Sequence, residues 1–102
     1  MKIILVCNAG MSTGIMQMKL EECARNENME ITIEAIPIAE IEEEDADIVL
    51  LGPQVRFAKN DLIKLFEGRA YVHSIDLQDF GLMREDRVWK AILPEIRKNM
   101  NG

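Results

Sequence analysis

The sequence predicts an α/β fold: one open, four-stranded parallel sheet in the order 2-1-3-4, with helices on both faces. Two observations carry this expectation. Short apolar runs alternate with stretches of helical periodicity from one end of the chain to the other, with no internal repeat or low-complexity linker. The first and third runs, IILV and DIVLL, lack the polar alternation of a half-exposed strand, as strands buried on both faces do.

Strand one is expected over residues 2–6 and helix one over 12–28, where Met16, Leu20, Cys23 and Ala24 recur on one face. Strand two is expected over 30–36, with Ile31, Ile33 and Ala35 alternating against Thr32 and Glu34, and Pro37 closing it. Residues 40–44 read as a short acidic helical turn. Strand three covers 47–51 and is ended by Gly52 and Pro53. A helix over 56–67 buries Ala58, Leu62, Leu65 and Phe66. Strand four covers 70–75, a loop 78–83, and the last helix 85–99, where Val88, Ile92 and Ile96 stack beside Trp89 and Leu93. Right-handed crossovers between parallel strands then give a flavodoxin- or Rossmann-like sheet. Its switch point falls between strands one and three, and open α/β sheets bind ligands outside the carboxyl ends of their strands at such a point.

Composition narrows the function. The chain has 102 residues, enough for a single domain, 1–102, with a small core. A net charge of −6 argues against nucleic acid as a partner, since such binders present a basic face. No apolar run approaches the roughly 20 residues that span a bilayer, so direct membrane insertion is not expected. The start, MKIILVC, lacks the features of an export signal, and the expected location is the cytoplasm. Two cysteines and one histidine have no metal-ligand spacing, and Cys7 and Cys23 do not form a C-x-x-C pair. No metal and no cofactor are expected.

The chemistry lies in IILVCNAGMSTG, residues 3–14. An apolar strand delivers Cys7 to a loop of small residues that opens a helix. Backbone N–H groups and the positive end of the helix dipole would converge there, an arrangement that suits an anion. The same donors favour a thiolate over a thiol and would hold the oxygens of a phosphoryl group after attack by sulfur. Asn8, Ala9, Gly10, Met11, Ser12, Thr13 and Gly14 are the candidate phosphate-binding residues, with Gly10 permitting close approach and Ser12 and Thr13 offering hydroxyls. Cys7 is the candidate nucleophile. Cys23, on the apolar face of helix one, reads as core. Met11 either touches a partner or folds inward.

One competing activity is cysteine phosphatase chemistry. Small tyrosine phosphatases also place a cysteine loop between the first strand and helix of a parallel sheet, with the signature C-x-x-x-x-x-R-[ST]. Counted from Cys7, the arginine position is Thr13 and the next is Gly14. The bidentate clamp that stabilises the hydrolytic transition state is missing. A loop that accepts phosphate and hydrolyses it poorly suits a carrier. A non-catalytic binding module on the same scaffold is the other alternative.

The chain resembles the IIB components of the sugar phosphotransferase system, in the lactose/cellobiose/chitobiose branch. The motif C-x-x-G-M-S-T stands at residues 7–13, LLGPQVR at 50–56 and ID-x-x-D-[YF]-G-x-M at 75–83. The resemblance implies a phosphoryl relay. A IIA partner carries phosphate on histidine, Cys7 takes it as phosphocysteine, and a sugar entering through the membrane IIC subunit receives it. Gln54 and Arg56, in the second motif, are site-adjacent candidates, against the alternative of loop geometry and helix capping; Asp79, Phe80 and Gly81 form a turn beyond strand four, read first as structural and otherwise as standing beside the site. The chain departs from the family at Gly14, where serine is common. His73 reads as a sheet-edge or core-adjacent residue, and the acidic run over 40–47 as a solvated face.

Overall fold

The computed structural model describes residues 1–8, 11–42 and 45–101, and of residues 11, 12 and 101 the backbone alone. Its sheet has four parallel strands in the order β2-β1-β3-β4, as the alternation of elements predicts. The strands are β1 (Lys2–Cys7), β2 (Thr32–Pro37), β3 (Ile48–Leu51) and β4 (Tyr71–Ser74). The helices are α1 (Met11–Asn26), α2 (Lys59–Phe66), α3 (Leu77–Gly81) and α4 (Glu85–Asn101).

The helices divide the core in two. Ile3, Leu5, Ile33, Ile48 and Leu50 point to one face of the sheet, where Met16, Leu20 and Ala24 of α1 meet Val88, Trp89, Ile92 and Ile96 of α4. Ile4, Val6, Val49, Leu51 and Val72 point to the other, covered by Leu62 and Phe66 of α2 with Val55 and Ala58 before it. Ile3–Val6 and Ile48–Leu51 are fully buried, so the uninterrupted apolar runs occupy the two central strands. Polar ties set the helices against this frame. Gln17 Nε2 donates to the Ile33 carbonyl at 2.9 Å, joining α1 to β2. The Trp89 indole N–H donates to the Glu27 carboxylate, joining α4 to the end of α1.

Several boundaries differ from the sequence expectation, each for a local reason. Helix α1 stops at Asn26 rather than at 28, because Asn28 is left-handed (φ 55°). Met29 N–H reaches back to the Ala24 carbonyl at 2.9 Å, closing the helix in the manner of a Schellman turn. Strand β2 starts at Thr32 and includes Pro37, which an edge strand tolerates at its last position. The acidic turn expected over 40–44 is instead a single 3-10 turn at Ile38–Glu40. Pro37 presets its entry, and Ile38 and Ile41 pack against the core on the α2 side. Residues 43 and 44 of that expected turn lie outside the described residues.

The helix expected over 56–67 is two pieces, a 3-10 segment at Pro53–Ala58 and then α2. Val55 (φ −117°, ψ 16°) breaks the helical path while burying its side chain. Residues 78–83, expected as a loop, are largely α3. Asp76 caps it, its carboxylate Oδ1 accepting from Gln78 N at 2.9 Å and Asp79 N at 3.2 Å. The sequence signal was present: aspartate directly before an apolar residue, with a second acid three positions on. Asp76→Ala is expected to cost about 1 kcal/mol of stability, the usual worth of such a cap, read as a lowered urea midpoint with unchanged slope.

Candidate functional site

Cys7 is the last residue of β1 and lies opposite Pro37 of β2. Strand alternation places it on the face of Ile3 and Leu5, the face that α1 covers. Its residue exposure is 7%, so the residue is buried at the carboxyl end of a central strand. Asn8 is exposed, and α1 begins at Met11. Ala9 and Gly10 lie outside the described residues, as do the side chains of Met11 and Ser12. The cradle proposed for these four is therefore bounded only by its ends.

The first turn of α1 departs from what its residue types alone suggest. Thr13 is 6% exposed, the one buried polar side chain among the described residues. It heads a stripe with Met16, Leu20 and Ala24 that faces the sheet. Gly14 is exposed and helical, and a Cβ there would meet nothing within 4 Å. The serine common in the family would fit without displacement, so Gly14 is not a steric requirement of this fold.

The loop after β3 closes the other side of the switch point. Gly52 N–H donates to the Val6 carbonyl at 3.0 Å, carrying the β1–β3 pairing to the residue before Cys7. A Cβ on Gly52 would sit 3.5 Å from Gln54 Oε1, 3.6 Å from the Val6 carbonyl oxygen and 3.9 Å from Phe80 Cε2. The Gln54 amide oxygen thus lies beside Gly52 at the end of β3 although the residue is exposed. Buried Pro53 and Val55 on either side pin its backbone. Arg56 points to solvent and makes no ion pair with a described residue. The structure sets the Gln54 side chain beside Gly52 at the end of β3 and leaves Arg56 exposed.

Phe80 is buried and its ring edge belongs to this same corner. Asp79 is committed elsewhere: its Oδ1 accepts from Arg87 Nε at 2.9 Å, tying α3 to α4. It is not poised as a general acid.

His73 does not join the site. It is level with Leu50, two strands from β1, which places it on the order of 10 Å to the side. The imidazole is half-buried and stacked on Tyr71 with ring centroids 6.0 Å apart. Burial, assisted by the nearby Lys59 charge, lowers its pKa and keeps it neutral. Cys23 is partly buried against the α1/α4 core, as its spacing predicts. Burial raises the pKa of this thiol, and the carboxylates of Glu85, Glu22, Asp86 and Glu27 push it further. A protonated thiol is a poor nucleophile. Cys23→Ala is expected to leave labelling of Cys7 by a phosphoryl donor within experimental error of the parent chain, measured by peptide mass mapping.

Among the described residues no cluster of three His, Cys, Asp or Glu could hold a metal ion, and no helix is long and apolar enough to cross a membrane.

Known proteins resemble this chain in sequence and fold. Residues 2–90 match the sequence profile of the family described as PTS system, Lactose/Cellobiose specific IIB subunit. The PTS system cellobiose-specific EIIB component of Lactococcus lactis subsp. lactis (strain IL1403) is 36% identical over 97 residues, covering 87% of this chain and 90% of that protein. The PTS system galactose-specific EIIB component of Lactococcus lactis subsp. cremoris (strain MG1363) is also 36% identical, with the same coverage of 87% and 90%. The solution structure of the cellobiose-specific phosphotransferase IIB component from Borrelia burgdorferi superposes with a TM-score of 0.72 at 34% identity, covering 96% of this chain and 93% of that one. On this match over most of its length and the shared fold, this chain belongs to the lactose/cellobiose-specific IIB family of the sugar phosphotransferase system, whose members are phosphotransferases.

Proposed function

We propose that the chain is a cytoplasmic phosphocarrier whose nucleophile is Cys7. The Cys7 sulfur attacks the phosphorus of a phosphohistidine on a IIA partner. The S–P bond forms, the P–N bond breaks, and its electron pair stays on the imidazole nitrogen, which takes up a proton. A sugar of the cellobiose, chitobiose or lactose type, presented by membrane IIC, then attacks through a hydroxyl oxygen. The O–P bond forms, the electron pair of the S–P bond returns to sulfur, and the hydroxyl proton passes to solvent. No cofactor or metal enters either step.

The observation that carries this reading is the placement of Cys7 at the carboxyl end of a central strand, on the face where α1 begins a few residues later. The α1 N-terminus supplies unpaired N–H groups and the positive end of a dipole to a phosphoryl group on that sulfur. Residues 8–14 form the cradle in this reading, with Gln54 at its rim and Arg56 beside the partner surface. Both transfers need an approach to Cys7 from the carboxyl edge of the sheet, the end of β1 at which Cys7 stands. The sugar is a property of the permease in this scheme, in keeping with relatives of equal identity that carry cellobiose and galactose in their names.

Incubation with a phosphorylated IIA protein and mass mapping of the product test the proposal. A stable phosphate on Cys7 is expected. Rapid release of inorganic phosphate would instead indicate a phosphatase, and the absence of label a binding module.

A further inference from the structure

We infer that the outer edge of β4 is an association surface for a second copy of this chain, which lays its own β4 antiparallel beside it and joins the two sheets into one. The two edges of the sheet are built differently. On β2, Thr32 N–H donates inward to the Met1 carbonyl at 2.9 Å, so Ile33, Ala35 and Pro37 turn their backbone groups outward. That edge is blunted. Gln17 Nε2 already occupies the Ile33 carbonyl, Pro37 has no N–H to give, and exposed Glu34 is paired with Lys2 at 3.0 Å.

The edge at β4 has none of these guards. Tyr71 N–H donates to the Asp47 carbonyl at 3.0 Å and Ile75 N–H to the Leu51 carbonyl at 2.9 Å, which leaves Val72 and Ser74 facing outward. Among the described residues β4 pairs with β3 alone. Its sequence, YVHS, contains no proline, lysine or acid to repel an added strand. An antiparallel pairing about a twofold axis sets Val72 against Ser74 of the other copy and Ser74 against its Val72, each pair exchanging both main-chain hydrogen bonds.

The flank of this edge fits a second copy in particular. The Lys59 charge acts on His73, so the side of α2 that bears Lys59 and, one turn on, Ile63 runs along β4. Glu67 stands a further turn on, at the C-cap of α2. All three are exposed, and Ile63 is 41% exposed although apolar. Ile63 lies midway between a cation and an anion. A twofold axis at this edge therefore brings the two isoleucines together and places each Lys59 against Glu67 of the other copy. A pattern that complements its own inverse suits an isologous dimer. On the opposite face Tyr71, 37% exposed and stacked on His73, adds aromatic surface beside the same edge. The interface lies two strands from β1, so the carboxyl end of β1 stays open in the dimer.

Sedimentation equilibrium of the full chain over a range of concentrations tests this, with amide hydrogen exchange on the same samples. A reversible dimer is expected, and the Val72 and Ser74 amides should exchange more slowly as it fills. Ile63→Asp, which sets like charges together at the axis, is expected to weaken association at least about a hundredfold. Lys59→Glu alone should weaken it about tenfold, and Lys59→Glu combined with Glu67→Lys should restore it, because the exchange rebuilds both pairs. These substitutions are at exposed positions and should keep the parent's urea midpoint. A chain that stays monomeric up to about 1 mM overturns the inference, whether or not another protein is found to pair with β4. So does a dimer indifferent to Ile63→Asp, or one in which the parent's Val72 and Ser74 amides exchange as fast as in the monomer.

Discussion

Cys7→Ser is expected to abolish phosphoryl transfer to sugar in a system reconstituted with IIA and IIC, a fall of at least roughly a thousandfold. Serine preserves the shape of the site, and a buried position at 7% exposure accepts it without rearrangement. What changes is the nucleophile. A thiolate is accessible at neutral pH and an alkoxide is not, so the amide cradle has no anion to present. The variant should unfold at the urea concentration of the parent, which separates lost chemistry from lost structure. Sustained sugar phosphorylation by folded Cys7→Ser would remove Cys7 from the relay altogether.

Phe66→Ala is expected to lower stability by about 3–5 kcal/mol, the range for deleting a buried aromatic ring. Phe66 is 1% exposed and closes α2 over Ile4, Val6, Val49 and Leu51. The opposite face of the sheet has two helices to share such a loss, whereas α2 covers its face with only the 3-10 segments for company. A chain of this size has on the order of 5–15 kcal/mol in total, so the variant sits near the limit of folding. Its melting temperature should drop by at least about 12 °C. Phe66 ends α2 at the amino end of the sheet, away from Cys7. Folded Phe66→Ala at low temperature should therefore accept phosphate normally, and a parallel loss of both properties would show coupling between this core and the site.

The elements that sequence reading places well are those in which one pattern decides the outcome. The runs at residues 3–6 and 48–51 could only be central strands, because nothing polar interrupts them, and both are fully buried. The stripe of Leu20 and Ala24 and that of Val88, Ile92 and Ile96 obey helical spacing and meet across one sheet face. Local competition decided the remainder. A helix through residue 28 has no defect in periodicity; a left-handed Asn28 and the returning Met29 N–H end it early. The helix expected from residue 56 becomes α-helical only at Lys59, because the 3-10 segment Pro53–Ala58, with Val55 buried in a non-helical turn, occupies its start. Asp76 turns a loop into α3 with two hydrogen bonds.

The site divides in the same way. Sequence by itself determined that a cysteine stands at a strand end and which family the chain belongs to, because a cysteine followed by small residues and a helix start is a local arrangement read from neighbours in the chain. It could not show that the Gln54 side chain lies beside Gly52, or that Thr13 is buried and Gly14 exposed, since residues so close in sequence differ in where the fold turns them. Tertiary structure decided those matters. Sheet pairing joins Gly52 to Val6 with Gln54 beside it, and the rotation of α1 against β1 buries Thr13 while leaving Gly14 in solvent. Orientation of that kind is set by contacts between distant segments, which no local pattern records.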